Sequence, residues 1–184
     1  MPMRLTREAL LHDLATVREE VASYFATLPL EELYRREGEA WAPVDDLRHL
    51  TLSVGKITGV FRAPPEALRA RFGQRAEAPR SREAVHELAL QGLRDGGKST
   101  EDLSPAPVPP EDRTEEYRAV CLDAWRRGAR AFEEALAAWP EDALDAHQVP
   151  HPFLGMFSLR EWADFNVIHA RHHLGVAERR LGRG

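Results

Sequence analysis

Apolar residues recur at steps of three and four along almost the whole of this chain, and that spacing commits it to packed helices. In residues 5 to 28, Leu10, Leu14, Val17, Val21, Tyr24 and Leu28 lie four, three, four, three and four apart. That is the stripe a helix lays against a bundle. Pro29 helps to end it. A second helix begins near Pro43, where a proline costs little because the first-turn N–H would have no partner anyway. Asp45 and Asp46 follow at the positive end of the helix dipole. Leu47, Leu50, Val54, Ile57 and Phe61 then form its seam, until Pro64 and Pro65 interrupt it.

A third long helix is expected from about Thr114 to Trp139, with Trp125, Phe132, Leu136 and Trp139 on its buried side and Pro140 as its stop. The last runs from Ser158 to about Leu181. Ser158-Leu159-Arg160-Glu161 reads as a capping box, in which serine accepts from one amide and glutamate from the other. Residues 62 to about 112 differ. Short helical stretches are expected around 66 to 72 and from Ser81 to about Arg94. Gly96-Gly97 and then Pro105, Pro107, Pro109 and Pro110 make the rest a long, partly extended connection. No segment alternates with period two, so no sheet is expected. Four long helices with one long crossover make an all-α four-helix bundle, a single domain over residues 1–184 with 62–112 as the connection.

Composition narrows the classes of function. With 43% hydrophobic and 30% charged residues the chain can bury a core and keep a charged surface. No apolar run approaches the ~18 to 20 residues a membrane span needs. The start, Met-Pro-Met-Arg-Leu-Thr-Arg-Glu, lacks the order of a signal peptide, so a cytoplasmic location and no membrane partner are expected. The net charge is −5, and basic residues alternate with acids, as in Arg18-Glu19-Glu20. That argues against nucleic acid as a partner. The basic end, Arg179-Arg180-Leu181-Gly182-Arg183, reads as cations at a helix C-terminus. Cys121 is the only cysteine and sits among apolar residues, so no intrachain disulfide forms and the thiol is read as buried and inert.

The chemistry rests on histidines. His12, His86, His147, His151 and His172 show no special arrangement. His169 and His173 are four apart, one turn above each other on a helix face that also carries Trp162 and Phe165. Two imidazoles so placed can converge on one ion, at M–N distances of about 2.0 to 2.1 Å. Hydrogen bonding of both to neighbours explains the spacing equally well. His172 lies roughly 60° from His169 around the helix and competes with His173 for the pair. His49 lies roughly 110° from the centre of its helix's apolar seam, at the flank of the buried face. Periodicity alone does not make it a ligand.

Three stretches resemble the DinB/YfiT-like superfamily of bacterial four-helix proteins: Trp41-Ala-Pro-Val-Asp-Asp-Leu-Arg-His49-Leu50, His151-Pro-Phe-Leu-Gly155, and Ser158 through Val176. His169-Ala-Arg-His172-His173 is the most specific piece. Residues 62 to 112 carry almost none of the likeness. The resemblance implies three metal-ligating histidines, one from the second helix and two from the last: His49, His169 and His173. It also implies an up-down-down-up order of helices and a homodimer. One departure stands out, since members often follow the final histidine pair with a polar residue, commonly glutamine, where this chain has Val176.

Three neutral imidazoles leave a tetrahedral ion one open position, the mark of catalytic rather than structural sites. Imidazole suits zinc or nickel equally. By analogy with relatives the reaction implied is S-transfer, in which the metal activates a low-molecular-weight thiol for attack on an electrophile. Trp41, Phe153 and Trp162 are candidates to line the electrophile's pocket. Water in the open position would make a hydrolase instead. A stress-associated module that binds metal without turnover, and a degenerate bundle that binds none, are the non-enzymatic readings. Asp123, Asp164 and Glu161 are the acidic residues near enough in sequence to be weighed as a general base, and solvated helix faces explain them as well.

Overall fold

A computed structural model of the chain describes residues 5–95 and 99–183. Met1 to Arg4 and the Gly96-Gly97 break fall outside them. Four long helices form the body: α1 (Arg7–Thr27), α3 (Pro43–Phe61), α6 (Glu115–Ala137) and α8 (Leu159–Arg180). Between them come the short helices α2 (Leu30–Leu33), α4 (Pro65–Phe72), α5 (Arg82–Arg94) and α7 (Ala143–Ala146). The long helices start where local chemistry satisfies their first amides. Thr6 accepts from Ala9 N–H at 3.1 Å, Thr114 from Tyr117 N–H at 3.1 Å, and Ser158 from Glu161 N–H at 3.1 Å. Glu161 completes the box by accepting from Ser158 N–H at 2.8 Å.

α1 and α3 each pack mainly on α6 and α8 and touch one another little. Bonds between helices give their senses. The Arg7 guanidinium donates to Trp139 O while Arg118, further back along α6, donates to Leu28 O, so α1 and α6 run in opposite senses. Trp139 Nε1 donates to Phe61 O at 2.8 Å and Gly128 packs on Val54, so α3 and α6 run the same way. His49 meets His169 while Asp46 meets His173 and Arg180, so α3 and α8 are opposed. Two helices of one sense cannot be joined by a tight turn, because the chain must first travel back the length of the bundle. Residues 62–114 make that journey through α4, α5 and two short 3₁₀ turns, Glu101–Leu103 and Pro110–Asp112.

The core runs through the bundle and its largest fully buried side chains include Phe25, Phe132 and Phe157. Phe132 meets Phe61 edge to face with centroids 4.9 Å apart. The indole of Trp125 satisfies its one donor on Arg18 O at 3.0 Å. Cys121 is buried, and burial pushes its thiol above the ordinary range, in keeping with an inert side chain. Among the described residues no helix is long and apolar enough to cross a membrane.

One expectation fails. A two-stranded antiparallel sheet is present, β1 (Gln148–His151) paired with β2 (Gly155–Ser158), with Val149 opposite Phe157 and His151 opposite Gly155. The strands are four residues each, too short for alternation to register in the sequence, and Pro150 obscures what remains. Gly155, at φ 82, supplies the left-handed residue the reversal needs.

Candidate metal centre

α3 and α8 cross where their opposed stripes meet, and there His49, His169 and His173 come together. One ligand atom from each lies within 4.8 Å of the others, a group that could hold a divalent metal ion. The ring centroids are 4.6 Å apart for His49 and His173, 4.7 Å for His169 and His173, and 5.0 Å for His49 and His169. His49 Nε2 and His169 Nε2 are 3.1 Å apart. Two nitrogens bound to one tetrahedral ion at about 2.0 to 2.1 Å would lie only slightly further apart.

Two of the rings are oriented from behind. His49 Nδ1–H donates to Leu103 O at 2.7 Å, and His173 Nδ1–H donates to Asp46 Oδ1 at 2.7 Å. With Nδ1 so engaged, Nε2 carries the lone pair on both rings. This is the arrangement in which an outer carbonyl or carboxylate fixes the tautomer of a metal-binding imidazole. His169 stacks on Phe165 with centroids 5.4 Å apart at 13°. Burial holds His49 below the usual imidazole range, with Leu103 O and Asp46 pulling the other way. His169 and His173 lie well below it, from burial first and neighbouring imidazoles second. All three therefore favour the neutral form that a ligand needs.

Asp46 is 0% exposed and was read in the sequence only as an acid at a helix start. Burial pushes its carboxyl up to about 7, against the pull of Arg180, whose Nη1 donates to Asp46 Oδ2 at 2.6 Å. Arg180 also donates to Trp41 O at 3.1 Å, so Trp41, Arg180, Asp46 and His173 form one chain. Its sequence signal is an acid three residues before His49, on the same helix face. His49 sits deeper than a flank position, at 4% exposure, because Trp41 and the Leu103 segment cover it from outside its own helix. His172 lies beside His173, 5.4 Å between centroids, and is not in the converging group.

The histidines form part of the wall of a cavity of about 640 Å³. Trp41, Phe153 and Trp162, the candidates from the sequence for the pocket wall, all line it. His151, which showed no special arrangement in the sequence, lines it too, boxed by Trp162, Phe165, Phe153 and Phe157 with centroids 4.7 to 5.5 Å away. Its aromatic neighbours come from the hairpin and α8, which no local spacing reveals. α5 closes one side, and at Gly92 a β-carbon would meet Leu154 at 2.3 Å, so the helix lies hard against the hairpin tip. None of the three weighed acids lines this cavity. Glu161 takes Arg75 and Arg80 at 2.8 and 3.0 Å, Asp164 takes Arg82 at 2.6 Å, and Asp123 pairs with Arg127 on the surface.

A mostly helical chain whose longest helices bring three imidazoles to one point beside a cavity defines the class: a helical-bundle protein with a three-histidine metal-type centre. The model of the DinB superfamily matches residues 13–177, and the chain belongs to that superfamily. No curated protein and no solved structure matches it.

Proposed function

We propose that this protein is a metal-dependent transferase of the DinB type, with zinc or nickel held by His49, His169 and His173. The observation that carries the reading is the convergence of three imidazoles, two of them held from behind by Leu103 O and Asp46 with Nε2 left to bear the lone pair, at the wall of a ligand-sized cavity. A purely structural ion would be expected in a closed shell of four protein ligands. Only three such groups converge here among the described residues, and their neighbourhood is open space.

Bound there, a divalent ion would hold a low-molecular-weight thiol as its thiolate, releasing the thiol proton to solvent. The chemistry it would supply is a nucleophilic sulfur for an electrophilic carbon, whose leaving group would depart with its bonding electrons. His49, His169 and His173 would hold the ion and so fix where the nucleophile sits. The aromatic walls exclude water and hold the electrophile within reach. No carboxylate lines the cavity among the described residues, and the thiol proton would be lost to solvent as the metal takes up the sulfur.

The test is metal content followed by turnover. Mass spectrometry of the purified protein should find about one zinc or nickel per chain, lost in His49→Ala and in His173→Ala. Thiol-dependent consumption of a model electrophile should stop on chelation and return on reloading. Metal without any thiol or ester turnover would favour a binding module, and turnover of an ester without thiol would favour a hydrolase. Thiol-dependent turnover that ignores chelation refutes the proposal.

A further inference from the structure

Both fixed charges on the cavity wall are already met. Lys56 Nζ pairs with Asp102 at 2.5 Å and Arg180 Nη1 with Asp46 at 2.6 Å. No Asp or Glu is among the described residues that line the space. The converging imidazoles favour their neutral form, and burial holds His172 below its ordinary range as well. Much of the remaining wall is carbon, with Phe153, Trp162 and Phe165 at one end and Ile57, Val60 and Leu90 elsewhere. A charged guest entering such a space gives up its water and finds no free counter-charge. A neutral guest gives up less and covers apolar surface. A volume of about 640 Å³ falls within the range of small-molecule sites.

His151 gives this wall a polar handle. It is 8% exposed and lines the cavity. Its Nδ1 accepts from Phe153 N–H at 3.4 Å, which puts the ring proton on Nε2. Burial holds the ring down to about 4 and so keeps it neutral at ordinary pH. Nε2–H has no acceptor among the described residues, for the rings packed around it are Phe153, Phe157, Trp162 and Phe165. Unlike His147 Nε2, it is not sealed off from open space. Trp162 has already spent its own donor on Val149 O at 3.1 Å. A donor left unpaired in an aromatic box is costly, so an acceptor brought by a guest gains what the protein forgoes. Phe165 meets His151 with centroids 4.8 Å apart and stacks on His169 at 5.4 Å, so a single ring links this donor to the metal centre.

We infer that the cavity selects uncharged molecules with an aromatic or apolar body and one hydrogen-bond acceptor, such as a carbonyl oxygen, and that His151 Nε2–H is the donor that holds this acceptor. The body lies along the aromatic wall that leads from His151 past Phe165 toward His169. His151 is then a specificity-determining residue, since it touches the guest and decides which way round it lies. The inference rests on the proposed function only in calling such a molecule the electrophile, because selection by the cavity needs no reaction.

Four probes share one skeleton: acetophenone, ethylbenzene without the acceptor, the anion benzoate, and 1-phenylethylamine, a cation at neutral pH. Each is titrated calorimetrically into the chelated full chain, where no ion can capture a carboxylate or an amine. Acetophenone should bind about fivefold tighter than ethylbenzene, the worth of one net hydrogen bond. It should bind about tenfold tighter than either charged probe, which must shed its water without a partner. His151→Phe keeps a ring in the box without a donor. It should bring acetophenone down to the affinity of ethylbenzene and leave ethylbenzene nearly unchanged. A second measurement needs no variant: nitrogen spectra of the ¹⁵N-labelled native chain should show His151 protonated on Nε2. That proton should move downfield with acetophenone and stay in place with ethylbenzene. Binding of a charged probe as tight as that of acetophenone, equal binding of acetophenone and ethylbenzene, or no binding of any probe overturns the inference. So does a folded His151→Phe chain that keeps the preference, or a ring proton found on Nδ1. Failure of the metal reading looks different: the chain then takes up no zinc and turns over no thiol, while the chelated form still ranks the four probes in this order.

Discussion

Asp46→Asn tests the least visible part of the centre, the bond that aims His173. Asparagine has the same shape, so the core around position 46 should survive. Its carbonyl can still accept the 2.7 Å bond from His173 Nδ1–H, but its amide then faces Arg180 Nη1 across the 2.6 Å contact, donor against donor. Arg180 can turn toward water, since its side chain is 31% exposed, so the global cost should stay near 1 kcal/mol. The loss falls on the metal. Removing an outer carboxylate from a ligating imidazole typically lowers metal affinity about 10- to 100-fold. For native protein at a free zinc concentration of about 100 Kd, binding stabilises the fold by about 2.7 kcal/mol. With Kd raised about 30-fold at the same zinc, that falls to roughly 0.9 kcal/mol. At about 2–4 °C per kcal/mol for a chain of this size, zinc should lift the native Tm by about 5–11 °C and the variant's by about 2–4 °C. Competition against a chromophoric chelator gives the affinity, and calorimetric melting with and without zinc gives the shift. A variant that binds zinc within twofold of native, with an equal rise in Tm, would show that the carboxylate does not aim the ligand.

His172→Ala should leave metal content and affinity nearly unchanged, whereas His173→Ala should lower affinity by more than 100-fold, since only the latter ring joins the converging group; the same chelator competition distinguishes them. Burial holds His151 down to about 4, so between pH 6.5 and 4 the unfolded chain takes up a proton that the folded chain refuses. Stability therefore falls as pH falls through that window, and relative to His151→Gln the native chain should lose about 2 kcal/mol between pH 7 and pH 5 in urea titrations. Phe132→Ala removes a fully buried ring from the contact with Phe61 and should cost about 3–5 kcal/mol by the same method, without changing metal stoichiometry.

The long helices were legible because each carries its seam at helical spacing and ends at a proline or a cap. Leu10 through Leu28 and the Ser158 box needed nothing from the rest of the chain. The short helices of the connection were legible for the same reason. The hairpin was not: four-residue strands with Pro150 in one of them hold too few positions to show a period. His49 illustrates a second kind of blindness. Its burial comes from Trp41 and Leu103, which lie outside its own helix, so a wheel drawn on that helix leaves it at the flank. The family likeness, not the wheel, singled it out. Asp46 and Arg180 were legible as residues and misleading as roles. An acid at a helix start and an arginine at a helix end satisfy the dipole so well that their mutual bond goes unsuspected. His151 had no signal in local spacing, only its place in a stretch that resembles the family, because its aromatic box is assembled from the hairpin and α8.

The carbonyl that orients His49 belongs to Leu103, a residue of the crossover rather than of the four long helices. Occupancy of the centre and the conformation of that crossover are therefore thermodynamically linked. Any factor by which a displaced crossover weakens the ion is the factor by which the ion resists the displacement. Ser99, Thr100, Leu103 and Ser104 of this segment also line the cavity, so a ligand that presses on them feels the ion, and the ion feels the ligand, without the two touching.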